Sequence, residues 1–281
     1  MGYSLLSSNI DYYKPTTIKE ALELFYFLKA KNKRPIYYAG GTEIITLSRL
    51  NLVETDALID IKELKECQLF EFNETYLISG AVISLTEIEE KNLFPLLSKT
   101  SMEIADRTAR NKITLGGNLC GQIFYREAIL PFLLCDSQVV VAGYNGVEAF
   151  PINQIFNQNL QLQDGQILIQ LLTEKKYINL PFMSIKKRQQ WDTGYPLLTI
   201  ASIKSDNQLR FAFSGLCPFP FRSKQMEAEL NNTNLSVEER IQKAIQFIPG
   251  EVLDDVEGSK EFRLFVLKNT VEEIMNAMEG R

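Results

Sequence analysis

The sequence predicts an α+β protein, and three features carry that prediction. A helix signal and two short strand signals fill about the first sixty residues. Strands and helices then alternate irregularly, and about the last hundred residues run from two closely joined strands into three helices. Strands followed by a run of helices favour an antiparallel sheet covered on one face. With 281 residues, 45% hydrophobic and 23% charged, the chain can build packed cores in about two domains.

The first helix is signalled by Thr17 and Glu20 at capping-box spacing and by an apolar stripe of Ile18, Ala21, Leu22, Phe25 and Leu28. The basic, polar run at 29–34 ends it and suits the negative end of the helix dipole. Residues 35–39 read as a short strand broken by Gly40-Gly41, 42–50 as a short helix, and 57–61 as another strand. A strand candidate at 76–82 precedes Ser84-Leu85-Thr86-Glu87, which starts a helix with a second capping-box pattern. Helical patterning covers 93–109, a turn falls at Arg110-Asn111-Lys112, and a glycine-rich stretch follows at 114–118. Residues 128–135 are apolar enough for a buried helix, and 139–142 read as a strand entering the Tyr144-Asn145-Gly146 turn. A polar loop is expected at 153–166 before a strand at 167–172. Strands at 197–204 and 209–216 are joined through Ser205-Asp206-Asn207 in the manner of a hairpin. Helices follow at 223–230, 237–247 and 260–278, with Ser236 and Glu239 capping the second and Ser259 the third. There is no internal repeat and no low-complexity stretch.

Composition excludes several kinds of chemistry. At net charge −5 no global positive field favours nucleic acid or anionic membranes. No apolar run approaches the ~20 residues that span a bilayer, and the N-terminus lacks the charged and apolar regions of a signal peptide, so a soluble, cytoplasmic protein is expected. There is no histidine, which removes a Ser-His-Asp triad, an imidazole metal ligand and a histidyl cofactor link. Cys67, Cys120, Cys135 and Cys217 show no Cys-x-x-Cys spacing, unlike most iron–sulfur and zinc sites. They are expected to be reduced structural thiols, and no metal site is expected. Most chemistry must then come from something the chain binds.

The two informative stretches are Ala39-Gly40-Gly41-Thr42-Glu43 and Thr114-Leu115-Gly116-Gly117-Asn118. Paired glycines after a strand let the backbone turn sharply and let a ligand approach the main chain. Successive N–H groups in such a turn form an anion-binding nest, and a helix N-terminus adds positive dipole. Two nests brought together would hold a diphosphate without a side-chain cation. A single Gly-Gly is more often a plain turn, and neither stretch is a Gly-x-Gly-x-x-Gly or Walker A sequence.

The stretches 38–44 and 110–118 resemble the paired FAD-binding loops of the molybdenum hydroxylase flavoprotein subunits, the family of the carbon monoxide dehydrogenase medium subunit and the xanthine dehydrogenase FAD subunit. The loops stand in the same order, about 75 residues apart, and the resemblance extends through 15–24, 218–230 and 258–263. It implies a two-lobed FAD-binding domain of the PCMH (vanillyl-alcohol-oxidase) type over 1–175, with lobes of about 1–62 and 63–175, and a C-terminal antiparallel-sheet-and-helices domain over 176–281. It further implies that Ala39, Gly40, Gly41 and Thr42 line the diphosphate, that Glu43 and Ile44 approach the flavin, and that Thr114, Gly117 and Asn118 complete the cradle. Glu127 stands nine positions past the asparagine, where relatives carry an acidic cofactor contact, usually aspartate. Leu168 and Lys186 match an apolar wall and a lysine near the cofactor. Glu127 also reads as a first-turn residue complementing a helix dipole, and Lys186-Lys187-Arg188 as a solvated basic patch. Trp191 and Asp192 leave packing and acceptor binding open, and Tyr37 and Tyr38 receive no role.

The resemblance implies an oxidoreductase subunit that carries non-covalent FAD. It would take electrons from a [2Fe–2S] small subunit, fed by a molybdopterin-binding large subunit, and pass them to NAD⁺ or another acceptor. A chain without histidine suits this role, since the cofactor carries the hard chemistry and the protein binds and orients it. Two alternatives are a self-sufficient flavin oxidoreductase on the same fold and a non-catalytic scaffold subunit. Co-purifying partners and flavin content separate the three.

Overall fold

A computed structural model describes residues 10–188 and 195–280. Within them the chain forms two compact units. One draws on Met1–Glu87, Arg107–Gly121 and Gln138–Leu172, the other on Ile88–Asp106, Gln122–Ser137 and Thr173–Arg281.

The first unit opens with β1 (Asp11–Tyr13), α1 (Ile18–Ala30), β2 (Pro35–Tyr38), α2 (Thr42–Arg49) and β3 (Ala57–Asp60). β3 lies between β1 and β2 and runs parallel to both, with Ala57 opposite Asp11 on one side and Pro35 on the other. Parallel neighbours need a crossover, and α2 supplies it between β2 and β3. The predicted capping box is present at Thr17 and Glu20, and Ala21, Phe25 and Leu28 are the buried stripe. β1 has no sequence signal of its own; three residues carry no period, and only the parallel partner makes them a strand.

A second sheet takes β4 (Phe70–Phe72) and β5 (Tyr76–Gly80). The helical stretch follows with α3 (Leu85–Lys91), α4 (Pro95–Met102), α5 (Arg107–Arg110), α6 (Leu115–Cys120) and α7 (Leu130–Leu134). Then come β6 (Gln138–Gly143), β7 (Gly146–Pro151), α8 (Ile152–Ile155), the short pair β8 (Phe156–Asn157) and β9 (Asn159–Leu160), and β10 (Ile167–Glu174). The strand order is β4-β5-β10-β6-β7. The helix expected over 93–109 is two helices: Pro95 opens α4, and Ala105 at φ +50° breaks the chain before α5. The loop expected over 153–166 contains α8, β8 and β9.

The second unit holds an antiparallel sheet of β11 (Phe182–Lys187), β12 (Leu198–Ser205), β13 (Gln208–Ser214) and β14 (Phe221–Arg222), in that order. It closes with α9 (Lys224–Leu230), α10 (Val237–Ala244) and α11 (Lys260–Glu279). Asp206 and Asn207 both have positive φ, as a two-residue hairpin turn requires. Leu198, Ile200, Leu209, Phe211 and Phe213 form one core with Met226, Ile241, Leu267, Val271 and Ile274 of the three helices. The opposite face is covered too, where only one covered face was expected. Arg210 and Arg222 donate to the Leu134 and Leu133 carbonyls at the end of α7, each at 2.8 Å, and both pair with Asp136. Helices from the middle of the sequence thus complete the C-terminal sheet, which sequence order alone conceals.

No described helix is long and apolar enough to cross a membrane. Cys67, Cys135 and Cys217 are buried, and burial raises each thiol pKa; Cys120 is exposed.

Candidate functional site

β2 delivers the first glycine stretch and α2 leaves it. Gly41 is the N-cap of α2 at φ +71°, a left-handed conformation that glycine adopts without strain, and no side chain caps the helix. A helix start leaves its first N–H groups without intrahelical partners, here those of Gly41, Thr42, Glu43 and Ile44. α2 also contains no buried residue.

The second stretch forms the start of α6. The structure brings it against the first: a Cβ on Gly40 would collide with the Lys112 carbonyl and lie 3.3 Å from the Thr114 amide. Only glycine permits that approach. A second link runs from Glu43, whose carboxylate lies where a Cβ of Gly121, the C-cap of α6, would stand. α6 differs from α2 in being satisfied from within. Leu115 N–H donates to Ile83 at 2.9 Å and Gly116 N–H to Ala81 at 2.7 Å. Gly117 N–H donates to the Thr114 hydroxyl at 3.2 Å, and Asn118 N–H to the Thr114 carbonyl at 2.9 Å. Thr114 and Asn118 are buried while Gly117 is exposed.

Beneath the first stretch lies a cluster that carries no sequence motif. Asp60, only 1% exposed, accepts from the Lys62 ammonium at 2.7 Å, from the Lys62 amide at 2.9 Å and from the Tyr12 hydroxyl. The same ammonium donates to the Ala39 carbonyl at 3.1 Å and sits 4.5 Å from the centre of the Tyr38 ring. That ring fills the place where a Cβ on Gly41 would lie. Burial works to raise the Asp60 pKa, but the bonds from Lys62 and Tyr12 hold it below the usual carboxylate range. Donation to Asp60 pushes the Tyr12 hydroxyl up to about 12. Parallel pairing of β1 with β3 assembles this cluster from residues about 48 positions apart, so no local pattern announces it.

Leu168 is buried on β10 in the same unit, at an irregularity in its pairing with β6. Glu127 and Lys186 belong to the other unit. Glu127 opens the single turn before α7, and its carboxylate pairs with Lys186 of β11 at 2.8 Å, the side chains being 2% and 4% exposed. Lys186 also donates to the Glu103 carbonyl at 2.6 Å. Lys187 pairs with Glu273 at an exposed position and Arg188 with Glu103, so only Lys187 of the three cations is solvated as expected. Trp191 and Asp192 lie outside the described residues. Among the described residues no group of three or more Cys, Asp or Glu is placed to hold a metal ion.

The residues present fit a dinucleotide diphosphate. An uncapped helix start offers N–H donors, two glycines leave room for close approach, and the facing turn presents an exposed Gly117. Comparison with known proteins agrees. The family described as "FAD binding domain in molybdopterin dehydrogenase" matches residues 8–172. The xanthine dehydrogenase FAD-binding subunit of Escherichia coli O157:H7 is 24% identical, with 95% of this chain and 94% of that protein aligned. The nicotinate dehydrogenase FAD-subunit of Eubacterium barkeri is 22% identical over 97% of this chain and 98% of its own. A chain of carbon monoxide dehydrogenase from Hydrogenophaga pseudoflava superposes with a TM-score of 0.83 at 19% identity, covering 95% of this chain and 96% of that one, which shows a shared fold. An N-terminal two-lobed FAD-binding domain of the PCMH type, followed by a distinct sheet-and-helix domain, is therefore the architecture here. This chain belongs to the FAD-binding family of the molybdopterin dehydrogenases, an oxidoreductase family.

Proposed function

We propose that this chain is the FAD-binding electron-transfer subunit of a molybdenum hydroxylase complex of the xanthine dehydrogenase type. Its partners are a molybdopterin-binding large subunit and a [2Fe–2S] small subunit, and the electrons leave to NAD⁺ or another acceptor. The observation that carries the reading is the convergence of two glycine stretches at the uncapped start of α2. Near-complete coverage of relatives named as FAD subunits supports it. FAD, when bound, supplies the exchange of one or two electrons.

The residues of the chain bind and orient. Gly40 and Gly41 allow main-chain approach, Thr42 and the N–H groups of α2 supply donors, and Glu43 and Ile44 continue the same turn. Ala39 anchors that turn, and Thr114, Gly117 and Asn118 form its facing wall, with Leu168 as apolar backing. Glu127 and Lys186 hold each other's charge in a dry environment, and their part in cofactor binding rests on the family resemblance. The division into a FAD-binding domain over 1–175 and a C-terminal domain over 176–281 belongs to the same reading. Without histidine a histidyl link is excluded, and in this reading the FAD is held non-covalently, with no cysteinyl attachment.

The test is purification of the chain with whatever accompanies it, followed by denaturation and analysis. Stoichiometric releasable FAD, a molybdenum-containing subunit and an iron–sulfur subunit are expected, with NAD⁺ reduction on adding substrate to the complex. A chain that runs alone and turns over its own substrate would replace this reading with a self-sufficient flavin oxidoreductase.

A further inference from the structure

We propose that Lys62 is a positioning residue for the FAD site, acting by locking the orientation of the Ala39–Gly40 peptide; this rests on the FAD-binding reading above. A peptide between an alanine and a Gly-Gly pair has little steric resistance to flipping, because glycine tolerates nearly all backbone conformations. A flip exchanges N–H and C=O, turning a donor that attracts an anion into an acceptor that repels it. Lys62 removes that freedom. Its ammonium holds the Ala39 carbonyl at 3.1 Å, and in a trans peptide the Gly40 N–H then points the opposite way, away from Lys62.

The ammonium is itself fixed. Asp60, 1% exposed, holds it at 2.7 Å, the Tyr38 ring lies 4.5 Å below it, and Tyr12 holds Asp60 in turn. Tyr38 links this base to the next residue of the turn, because its ring occupies the space beside Gly41 where a Cβ would stand. One cluster thus sets both the peptide plane before Gly40 and the left-handed turn at Gly41. The Lys62 side chain is 42% exposed, so it can be changed without opening the core.

The full chain, purified with the subunits that accompany it and stripped of flavin, is titrated with FAD by fluorescence quenching. Lys62→Met keeps the aliphatic stem and loses the donor, and is expected to raise the Kd for FAD roughly tenfold, as for loss of one charged hydrogen bond at a partly exposed site. Lys62→Arg keeps a charged donor and restores most of the affinity, a rescue that a packing role would not give. Removing the ammonium leaves the buried Asp60 carboxylate with one partner fewer, so the flavin-free Met variant melts below wild type, and both are titrated well below their melting temperatures. Equal FAD affinity in the Met variant and wild type overturns the inference and leaves the FAD reading standing. Equal weakness of the Met and Arg variants overturns the role of the charged donor. A wild-type chain that takes up no FAD overturns the reading, and the inference falls with it.

Discussion

Replacing Gly40 by alanine tests the central geometry. The position carries no positive φ, so alanine is conformationally acceptable and space is the only obstacle. The new Cβ would stand 2.9 Å from the Lys112 carbonyl carbon, closer still to its oxygen, and 3.3 Å from the Thr114 amide. These are backbone atoms on a strapped segment: Leu85 N–H holds Ile113 at 3.0 Å and Leu115 N–H holds Ile83 at 2.9 Å. Neither side can yield by a rotamer change. Overpacking of this kind costs about 1–3 kcal/mol. If the stretches stay together, the flavin-free chain loses that stability, a fall of about 2–12 °C in melting temperature at roughly 2–4 °C per kcal/mol for a chain of this size. If they part, the cost returns when FAD draws them together, as roughly a five- to 150-fold loss of affinity. Thermal melting and FAD titration of the same preparation read the two routes. A variant unchanged in both would show that the two stretches do not approach as described.

Gly117→Val should abolish FAD retention while leaving far-ultraviolet circular dichroism intact, because Gly117 is exposed and its Cβ meets only the Thr114 hydroxyl, at 2.8 Å; equal flavin content in mutant and wild type counts against that wall of the site. Glu127→Gln strands the Lys186 ammonium, 4% exposed, and should cost about 3–5 kcal/mol in denaturant unfolding, with part recovered on adding Lys186→Met. The carboxyl of Asp60 has a folded pKa below its unfolded value, so its stabilisation is fully present above the unfolded value. It is lost as pH falls through the folded one. Asp60→Asn should therefore flatten the acid limb of the stability profile, and an unaltered limb would place that acid sensitivity elsewhere.

Local signals account for much of what the sequence disclosed. The capping boxes at Thr17 and Ser236, the cap at Ser259 and the Asp206-Asn207 turn depend on neighbours in the chain, and the structure has each of them. What stayed hidden depends on distant partners. β1 exists through Ala57–Ile59, and β11 exists through β12, its charged Lys186-Lys187 end concealing a strand. The break at Ala105 carries no glycine or proline to announce it. The site divides in the same way. Glycines mark both turns because close approach demands them, whereas the Tyr12–Asp60–Lys62 base and the Glu127–Lys186 pair join ordinary residues across about 48 and 59 positions.

The two glycine turns are alike in sequence and unlike in physical state. At α6 the N–H groups of Leu115, Gly116, Gly117 and Asn118 already have partners, so an anion arriving at Gly117 must displace the Thr114 hydroxyl before it gains that bond. At α2 no side chain caps the helix and no residue is buried. A turn that offers donors must itself be held in place by something other than those donors. Lys62 does this from below through the Ala39 carbonyl, and the capped, strapped start of α6 does it from the side through Gly40. The internal satisfaction of one turn therefore makes it a firm support for the other, whose start no side chain caps.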